Sequence, residues 1–169
     1  MVKPFQPSKL VSVSAQNSAQ DASSVHAEEM PVSILVGNCV SLADRASVFQ
    51  LIERGISAAD VCRYASVVAL LKDKQILLQV TGISARSLSR RRRSDGQNLN
   101  RDQSARILRF AQTLDKASRV FGSSIEAERW ISTPAMGLNG AVPLQMLINP
   151  VGFELVDEFL TRMEYGVYQ

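Results

Sequence analysis

Apolar residues recur every three or four positions along most of the chain after residue 42, and this spacing predicts helices. Asp44 and Gly55 are suited to begin and end a first helix, and Ser57 to begin a second. Asn100 and Gln103 form a capping-box pattern for a long helix that ends before Gly122. Three further helices are predicted to begin at Ser123, at Pro143 and at Asn149–Pro150. The pattern therefore predicts an all-α protein.

The most specific local pattern lies around Gly82. The segment Lys72–Ser94 reads KDKQILLQVTGISARSLSRRRRS, which predicts two short helices with this glycine in the turn between them. Leu77, Ile83 and Leu88 then fall where the two helices must meet. This arrangement is a helix-turn-helix, whose second helix enters the major groove of DNA.

Positive charge is concentrated in and just after this motif. Between Lys72 and Arg109 there are ten Lys or Arg residues and three Asp residues, a net charge of +7, whereas the whole chain carries +3. A solvated helix end is the alternative interpretation, but one or two arginines would suffice to complement the helix dipole. Because arginine can bind a guanine edge with two hydrogen bonds, we expect the second helix to contact DNA. The predicted contacts are Ser84, Arg86, Ser87, Ser89, Arg90, Arg91, Arg92 and Arg93.

Three arginines in the following long helix lie next to the predicted DNA-contacting helix. They are Arg101, Arg106 and Arg109. Their position leaves two readings open, contact with DNA phosphates or simple solvation.

The first forty residues are expected to form a flexible arm. Residues 1–30 are rich in Ser, Ala and Gln and have no sustained apolar period. Residues 31–40, PVSILVGNCV, form a brief apolar patch that reads either as a short strand or as a packed connector. We therefore predict an arm at 1–40, a helix-turn-helix domain at 41–121 and a small helical domain at 122–169.

Residues that most enzymes and metal sites require are scarce. The chain has one His and two Cys, and it lacks a glycine-rich phosphate loop and a nucleophile elbow. The carboxylate pairs Glu126 with Glu128 and Asp157 with Glu158 fit solvated helix faces. There is neither an apolar run of about 20 residues nor a secretory signal. We expect no catalytic residue, no metal, no cofactor and no membrane contact, and a cytoplasmic location.

Charge reverses in the last third of the chain. Residues 121–169 contain two Arg and six Asp or Glu, a net charge of −4. Such a surface does not favour DNA, and the asymmetry indicates a second functional module.

Residues 127–168 read AERWISTPAMGLNGAVPLQMLINPVGFELVDEFLTRMEYGVY. This segment resembles the toxin-binding domain of the Xre/MbcA/ParS-type antitoxins. The resemblance rests on Ala127, Trp130, Pro134, Leu138, Gly140, Pro143, Leu147, Gly152, Val156, Leu160, Arg162, Glu164, Tyr165 and Gly166. Upstream, TGISARSLSRRRR and LNRDQSARILRFAQTLDKASRVFGS resemble the Xre-like DNA-binding domain that precedes it in this family.

The resemblance implies an antitoxin paired with a RES-domain toxin, an enzyme that degrades NAD. The C-terminal domain would obstruct the active site of the toxin, and the helix-turn-helix would bind operator DNA as part of a homodimer and repress the operon. The implied toxin contacts are Arg162, Glu164, Tyr165, Gly166, Val167 and Tyr168. The alternative is a stand-alone transcriptional regulator with a C-terminal dimerisation or effector domain.

Overall fold

The structure, a computed structural model, describes residues 31–36, 44–94 and 97–166. Within these ranges the chain forms α-helices, two short 3₁₀ helices and no β-strand, which confirms the all-α prediction. The α-helices are α1 Pro31–Val36, α2 Arg45–Arg54, α3 Ala58–Val67, α4 Lys74–Thr81, α5 Ala85–Arg93, α6 Arg101–Phe121, α7 Ser124–Ile131, α8 Pro143–Met146 and α9 Pro150–Glu164. The 3₁₀ helices span Ala69–Lys72 and Met136–Leu138. Among the residues described, none of the helices combines the length and the apolar character that a membrane-spanning helix needs.

Short polar side chains cap the N-termini of α2 and α6 at the positions that the sequence predicted. The Asp44 carboxylate accepts hydrogen bonds from the backbone N–H groups of Ala46 at 3.0 Å and Ser47 at 3.1 Å. At α6, Asn100 accepts from the Gln103 backbone N–H at 2.9 Å, and the Gln103 side chain accepts from the Asn100 N–H at 3.3 Å. These bonds satisfy donors that have no partner within the helix, so the predicted starts of α2 and α6 are confirmed.

Helix α1 is a departure from the prediction. Residues 31–36 form a helix and not a strand. Because Val32, Leu35 and Val36 are buried and α1 packs against α3 and α6, the alternative of a packed connector describes them better. The spacing of these three residues fits one face of a helix, but six residues are too few for periodicity to separate helix from strand. Residues 1–30 and 37–40 lie outside the described part of the chain, so the remainder of the arm stays a prediction.

Helix α6 is the axis of the structure. Its 21 residues pack against α1, α2 and α4 on the N-terminal side and against α7 and α9 on the C-terminal side. Ile107, Phe110, Leu114 and Ala117 are almost completely buried along it. Because both halves of the chain share this helix, their buried residues form one continuous core.

Aromatic contacts extend the core toward the C-terminus. The Trp130 ring lies 5.3 Å from the Phe121 ring and stacks on Phe159 at a centroid distance of 6.1 Å. Contacts of this kind contribute beyond simple burial of apolar area. Trp130 thus joins α6, α7 and α9.

Two carboxylates that the sequence assigned to solvated faces are instead bonding partners. Lys116 Nζ in α6 donates to Asp157 Oδ1 at 2.6 Å, and to the backbone carbonyl of Asp157 at 3.0 Å. Glu128 in α7 accepts hydrogen bonds from the backbone N–H groups of Ala69 at 3.2 Å and Leu70 at 2.8 Å. The partners are far away in the sequence, so helical periodicity could not reveal them. The first contact fixes α9 on α6, and the second fixes α7 on the 3₁₀ helix that precedes α4.

Candidate functional site

Helices α4 and α5 form the predicted helix-turn-helix. Gly82 ends α4 with φ +70, in the left-handed region that favours glycine. The buried Thr81 hydroxyl donates to the Leu77 carbonyl at 2.6 Å and accepts from the Ile83 N–H at 3.2 Å, which fixes the turn from inside. Leu77, Ile83 and Leu88 are all buried, as the sequence predicted.

Two of the predicted DNA-contacting serines help to form the start of α5. The Ser84 side chain is the N-cap and accepts from the Ser87 backbone N–H at 3.3 Å, and the two hydroxyls lie 3.1 Å apart. Ser84 is exposed and Ser87 is half-buried. Their first role is therefore to set the direction in which α5 leaves the turn.

Three of the predicted arginines lie on the outward face of α5. At about 100° per residue, Arg86, Arg90 and Arg93 point within about 40° of the direction opposite the buried Leu88. All three are exposed, and none forms an ion pair within the described part of the chain. This face can approach DNA without breaking an existing contact.

The remaining predicted residues of α5 lie on its flanks. Arg91 Nη1 donates to Gln103 Oε1 at 2.9 Å, so this arginine is joined to the capping box of α6. Arg92 is exposed. Burial raises the pKa of the Cys62 thiol in α3, and the positive charge of Arg92 opposes that shift. Ser89 is half-buried. The structure thus brings the eight predicted residues onto one helix but places only part of them on its outward face.

Two of the three α6 arginines named above form ion pairs within the protein. Arg101 pairs with Glu53 at 2.7 Å, and Arg106 pairs with Asp102 at 3.1 Å. The Arg106 guanidinium also lies close enough to Gly82 that a β-carbon there would meet its Nη1 at 3.4 Å. Burial lowers the pKa of the half-buried Arg109. The unpaired positive surface is therefore narrower than the charge count alone suggests.

The predicted toxin contacts lie at the end of α9. Arg162, Glu164, Tyr165 and Gly166 are exposed, and the Tyr165 side chain is 75% exposed. Gly166 has φ +67, so the chain turns at this residue. Glu164 is 3.8 Å from Arg119 Nε in α6, a long ion pair that leaves it accessible. Val167 and Tyr168 lie outside the described residues, and their predicted roles remain untested.

No group of three or more His, Cys, Asp or Glu side chains in the described ranges is arranged to hold a metal ion. Among the residues described, Tyr64 is the only fully buried side chain whose pKa is strongly shifted. Burial raises this pKa. It packs edge to face on Phe110 at 6.4 Å within the core. This shift reflects packing and marks no reactive site.

Comparison with known families assigns a description to two successive segments of the chain. Residues 73–112 match the family described as the antitoxin Xre-like helix-turn-helix domain. Residues 116–166 match the family described as the antitoxin Xre/MbcA/ParS C-terminal toxin-binding domain. The first match contains α4 and α5, and the second contains α7, α8 and α9. These are descriptions of binding domains and not of an enzyme, in agreement with the prediction.

Two curated proteins named Antitoxin Xre are similar in sequence. The one from Yersinia enterocolitica serotype O:8 / biotype 1B is 38% identical over 96 residues, which cover 56% of this chain and 64% of the relative. The one from Photorhabdus laumondii subsp. laumondii is 35% identical over 92 residues, which cover 54% of this chain and 62% of the relative. The chain thus spans just under two thirds of the length of each of these relatives.

Proposed function

We propose that the chain is an antitoxin of the Xre type, which binds and inhibits a toxin and also binds DNA. The observation that carries the proposal is the match of residues 116–166 to a domain described as toxin-binding, on the same core as a helix-turn-helix. The relatives are named antitoxins. One chain would then perform two binding functions through α5 and α9.

The proposed toxin is a RES-domain enzyme that degrades NAD and is encoded beside this chain. The end of α9 would block its active site through Arg162, Glu164 and Tyr165, continued by Val167 and Tyr168. Tyr165 supports this assignment because a large, exposed aromatic side chain with few rotatable bonds is a typical interface anchor.

DNA binding is assigned to the outward face of α5. Arg86, Arg90 and Arg93 would reach bases or phosphates in the major groove of the operator. One small helix-turn-helix binds weakly, so the proposed repressor is a homodimer whose two α5 helices occupy successive major-groove faces. Occupancy of an operator by this dimer would repress transcription of the toxin and antitoxin genes.

The proposed division of labour keeps residues 41–121 as the DNA-binding unit and 122–169 as the toxin-binding unit. Their boundary lies at Gly122, where α6 ends. Since α6 packs against helices of both units, the two units are expected to move as one body.

The test is co-expression of the chain with the product of the neighbouring gene, followed by pull-down and measurement of cellular NAD. The neighbour alone should deplete NAD, and the chain should bind it and restore the NAD level. An Arg90→Ala variant is a suitable control, because it alters the DNA face and should still restore NAD when both genes are driven from a foreign promoter. Failure of the two proteins to associate, with unchanged NAD, would overturn the antitoxin assignment.

A further inference from the structure

A small cavity lies where α3, α6 and α7 meet. Its volume is about 50 Å³. A buried water needs about 10–15 Å³, so the space admits a group of a few heavy atoms. Val67 is 56% exposed and lines the cavity, which therefore reaches the surface at this residue. Ala111 and Leu114 add to the apolar part of the wall, and the polar part includes Tyr64, Asp115 and Glu128.

Two buried oxygen atoms of residues that line the cavity have no hydrogen-bond partner among the residues that the structure describes. They are the hydroxyl oxygen of Tyr64 and Oδ1 of Asp115. Tyr64 is completely buried and Asp115 is 8% exposed, so bulk water does not supply the missing bonds. Besides burial, the charges of Glu128 and Asp115 raise the pKa of Tyr64. Since buried polar groups are nearly always paired, these two oxygens indicate a ligand that donates hydrogen bonds.

The carboxylates of the cavity carry more negative charge than the protein balances. Asp115 Oδ2 accepts from Arg119 Nη1 at 2.5 Å, and Arg119 is shared with Glu164, 3.8 Å from its Nε. Glu128 accepts only the two backbone N–H groups of the 3₁₀ helix described above and forms no ion pair within the described ranges. A positively charged ligand would therefore balance Glu128.

We propose that this cavity binds a primary ammonium group on a short aliphatic chain. Such a group is about the size of a water molecule and donates three hydrogen bonds. The Tyr64 hydroxyl and Asp115 Oδ1 are two unpartnered acceptors. Ser118 Oγ, which also lines the cavity, donates to the Leu114 carbonyl at 2.8 Å and keeps lone pairs for the third bond. The aliphatic chain would contact the apolar wall. Water could satisfy the same oxygens, but it would leave the charge of Glu128 unbalanced.

The cavity joins elements of both proposed binding units. Tyr64 belongs to α3, on the DNA-binding side, and Glu128 belongs to α7, on the toxin-binding side. A ligand that binds only the folded chain raises its stability. The ammonium group should therefore hold α3, α6 and α7 together.

The test is a titration of the isotope-labelled full-length chain, followed by amide NMR in a phosphate buffer that contains no amine. Ethylammonium chloride is the probe. Tetramethylammonium chloride is the matched control, because it carries the same charge and has no N–H donor. We expect saturable shifts in the amide signals of the residues that line the cavity with ethylammonium and not with tetramethylammonium.

A further titration distinguishes two sources of the ammonium group, a free alkylamine and a lysine side chain. The probe is lysine blocked at its backbone amine and carboxyl groups. Saturable shifts at the cavity would extend the site to lysine side chains of a partner, and their absence beside ethylammonium binding would assign the site to free amines.

Variants of the cavity test the assigned groups. Tyr64→Phe removes one acceptor and keeps the ring, and we expect at least about tenfold weaker ethylammonium binding because a hydrogen bond to a charged group is lost. Glu128→Gln removes the unbalanced charge and should also weaken binding. Glu126→Gln is its matched control, since this glutamate lies two residues earlier in α7 and does not line the cavity, so affinity should be unchanged. Circular dichroism and thermal unfolding confirm that each variant is folded.

Three results would overturn the proposal. Equal shifts with tetramethylammonium would show a general salt effect. No saturable shift at tens of millimolar ethylammonium would show a cavity that holds water only. Unchanged affinity in both Tyr64→Phe and Glu128→Gln would place the bound amine elsewhere. Because neither toxin nor DNA enters the titration, these results leave the proposed function untouched.

Discussion

Replacement of Arg90 by alanine and replacement of Arg91 by alanine should affect different properties of the protein, although the two residues are adjacent and of the same type. Arg90 is exposed on the outward face of α5 and has no ion-pair partner in the described part of the chain. Arg91 is half-buried and donates to Gln103 Oε1 at 2.9 Å. If α5 binds DNA as proposed, Arg90→Ala should weaken DNA binding, and Arg91→Ala should mainly weaken the fold.

The expected magnitudes follow from these contacts. Each phosphate that a protein neutralises on duplex DNA adds about 0.9 to the slope of log affinity against log salt. DNA affinity falls as salt rises from about 50 to about 200 mM. If Arg90 contacts one phosphate, the factor by which affinity falls should be about 3.5-fold smaller per protomer in Arg90→Ala than in the wild type. Contact with a base edge instead would lower affinity by about 1–3 kcal/mol and relax specificity at one position. Arg91→Ala should lower the free energy of unfolding by about 1 kcal/mol, since it removes a hydrogen bond between α5 and α6.

The assay is fluorescence anisotropy with a labelled duplex taken from the sequence upstream of the gene, titrated at several salt concentrations. Urea denaturation of the same variants gives the free energy of unfolding. Arg90→Ala should leave that free energy within about 0.5 kcal/mol of the wild type. Unchanged affinity together with an unchanged salt slope for Arg90→Ala, or an equal flattening of the slope for Arg91→Ala, would refute the assignment of the outward face of α5.

Three further predictions concern the core that positions the two surfaces. Gly152→Ala should destabilise the chain by about 1–3 kcal/mol or more in urea denaturation, because its β-carbon would lie 2.1 Å from the Met146 carbonyl oxygen; wild-type stability would contradict the close contact between α8 and α9. Lys116→Met should lower the free energy of unfolding by about 1–2 kcal/mol in the same assay, since it removes the hydrogen bonds to Asp157. The loss is limited because the half-exposed Asp157 carboxylate can bond to water instead. An unchanged denaturation midpoint would show that this contact does not stabilise the fold. Burial raises the pKa of Tyr64 above its ordinary value of 10.0, so ionisation favours the unfolded chain and stability falls as pH rises above 10. At pH 11 Tyr64→Phe should therefore gain about 1.4 kcal/mol relative to its effect at pH 8, and an identical pH dependence of the two proteins would contradict this.

The start and end of a helix were predictable because their signals are local. Asp44 and Asn100 bond to residues two or three positions ahead, and Gly82 and Gly122 take left-handed conformations directly after a helix. Each signal lies within one helical turn and depends little on tertiary structure. The helix-turn-helix was accessible from sequence for this reason, together with its concentrated charge.

Contacts between distant residues were not predictable from sequence. Glu128 lies 59 residues from Ala69, and Lys116 lies 41 residues from Asp157, so no periodicity links either pair. The same limitation applies to the α5 arginines, because the engagement of Arg91 depends on the position of α6. Charge indicated which helix to propose for DNA binding, and only packing separated the outward arginines from Arg91, which bonds to α6.

The most direct test of the proposed inhibition is titration of the purified chain into the purified product of the neighbouring gene while NAD breakdown is followed. If the chain is such an antitoxin, NAD breakdown should fall as the chain is added and should stop near a fixed molar ratio, since binding at α9 closes the active site. Deletion of residues 165–169 should abolish this inhibition and leave DNA binding intact. Undiminished NAD breakdown in a large molar excess of the full-length chain would contradict the proposal that this protein is an antitoxin of such an enzyme.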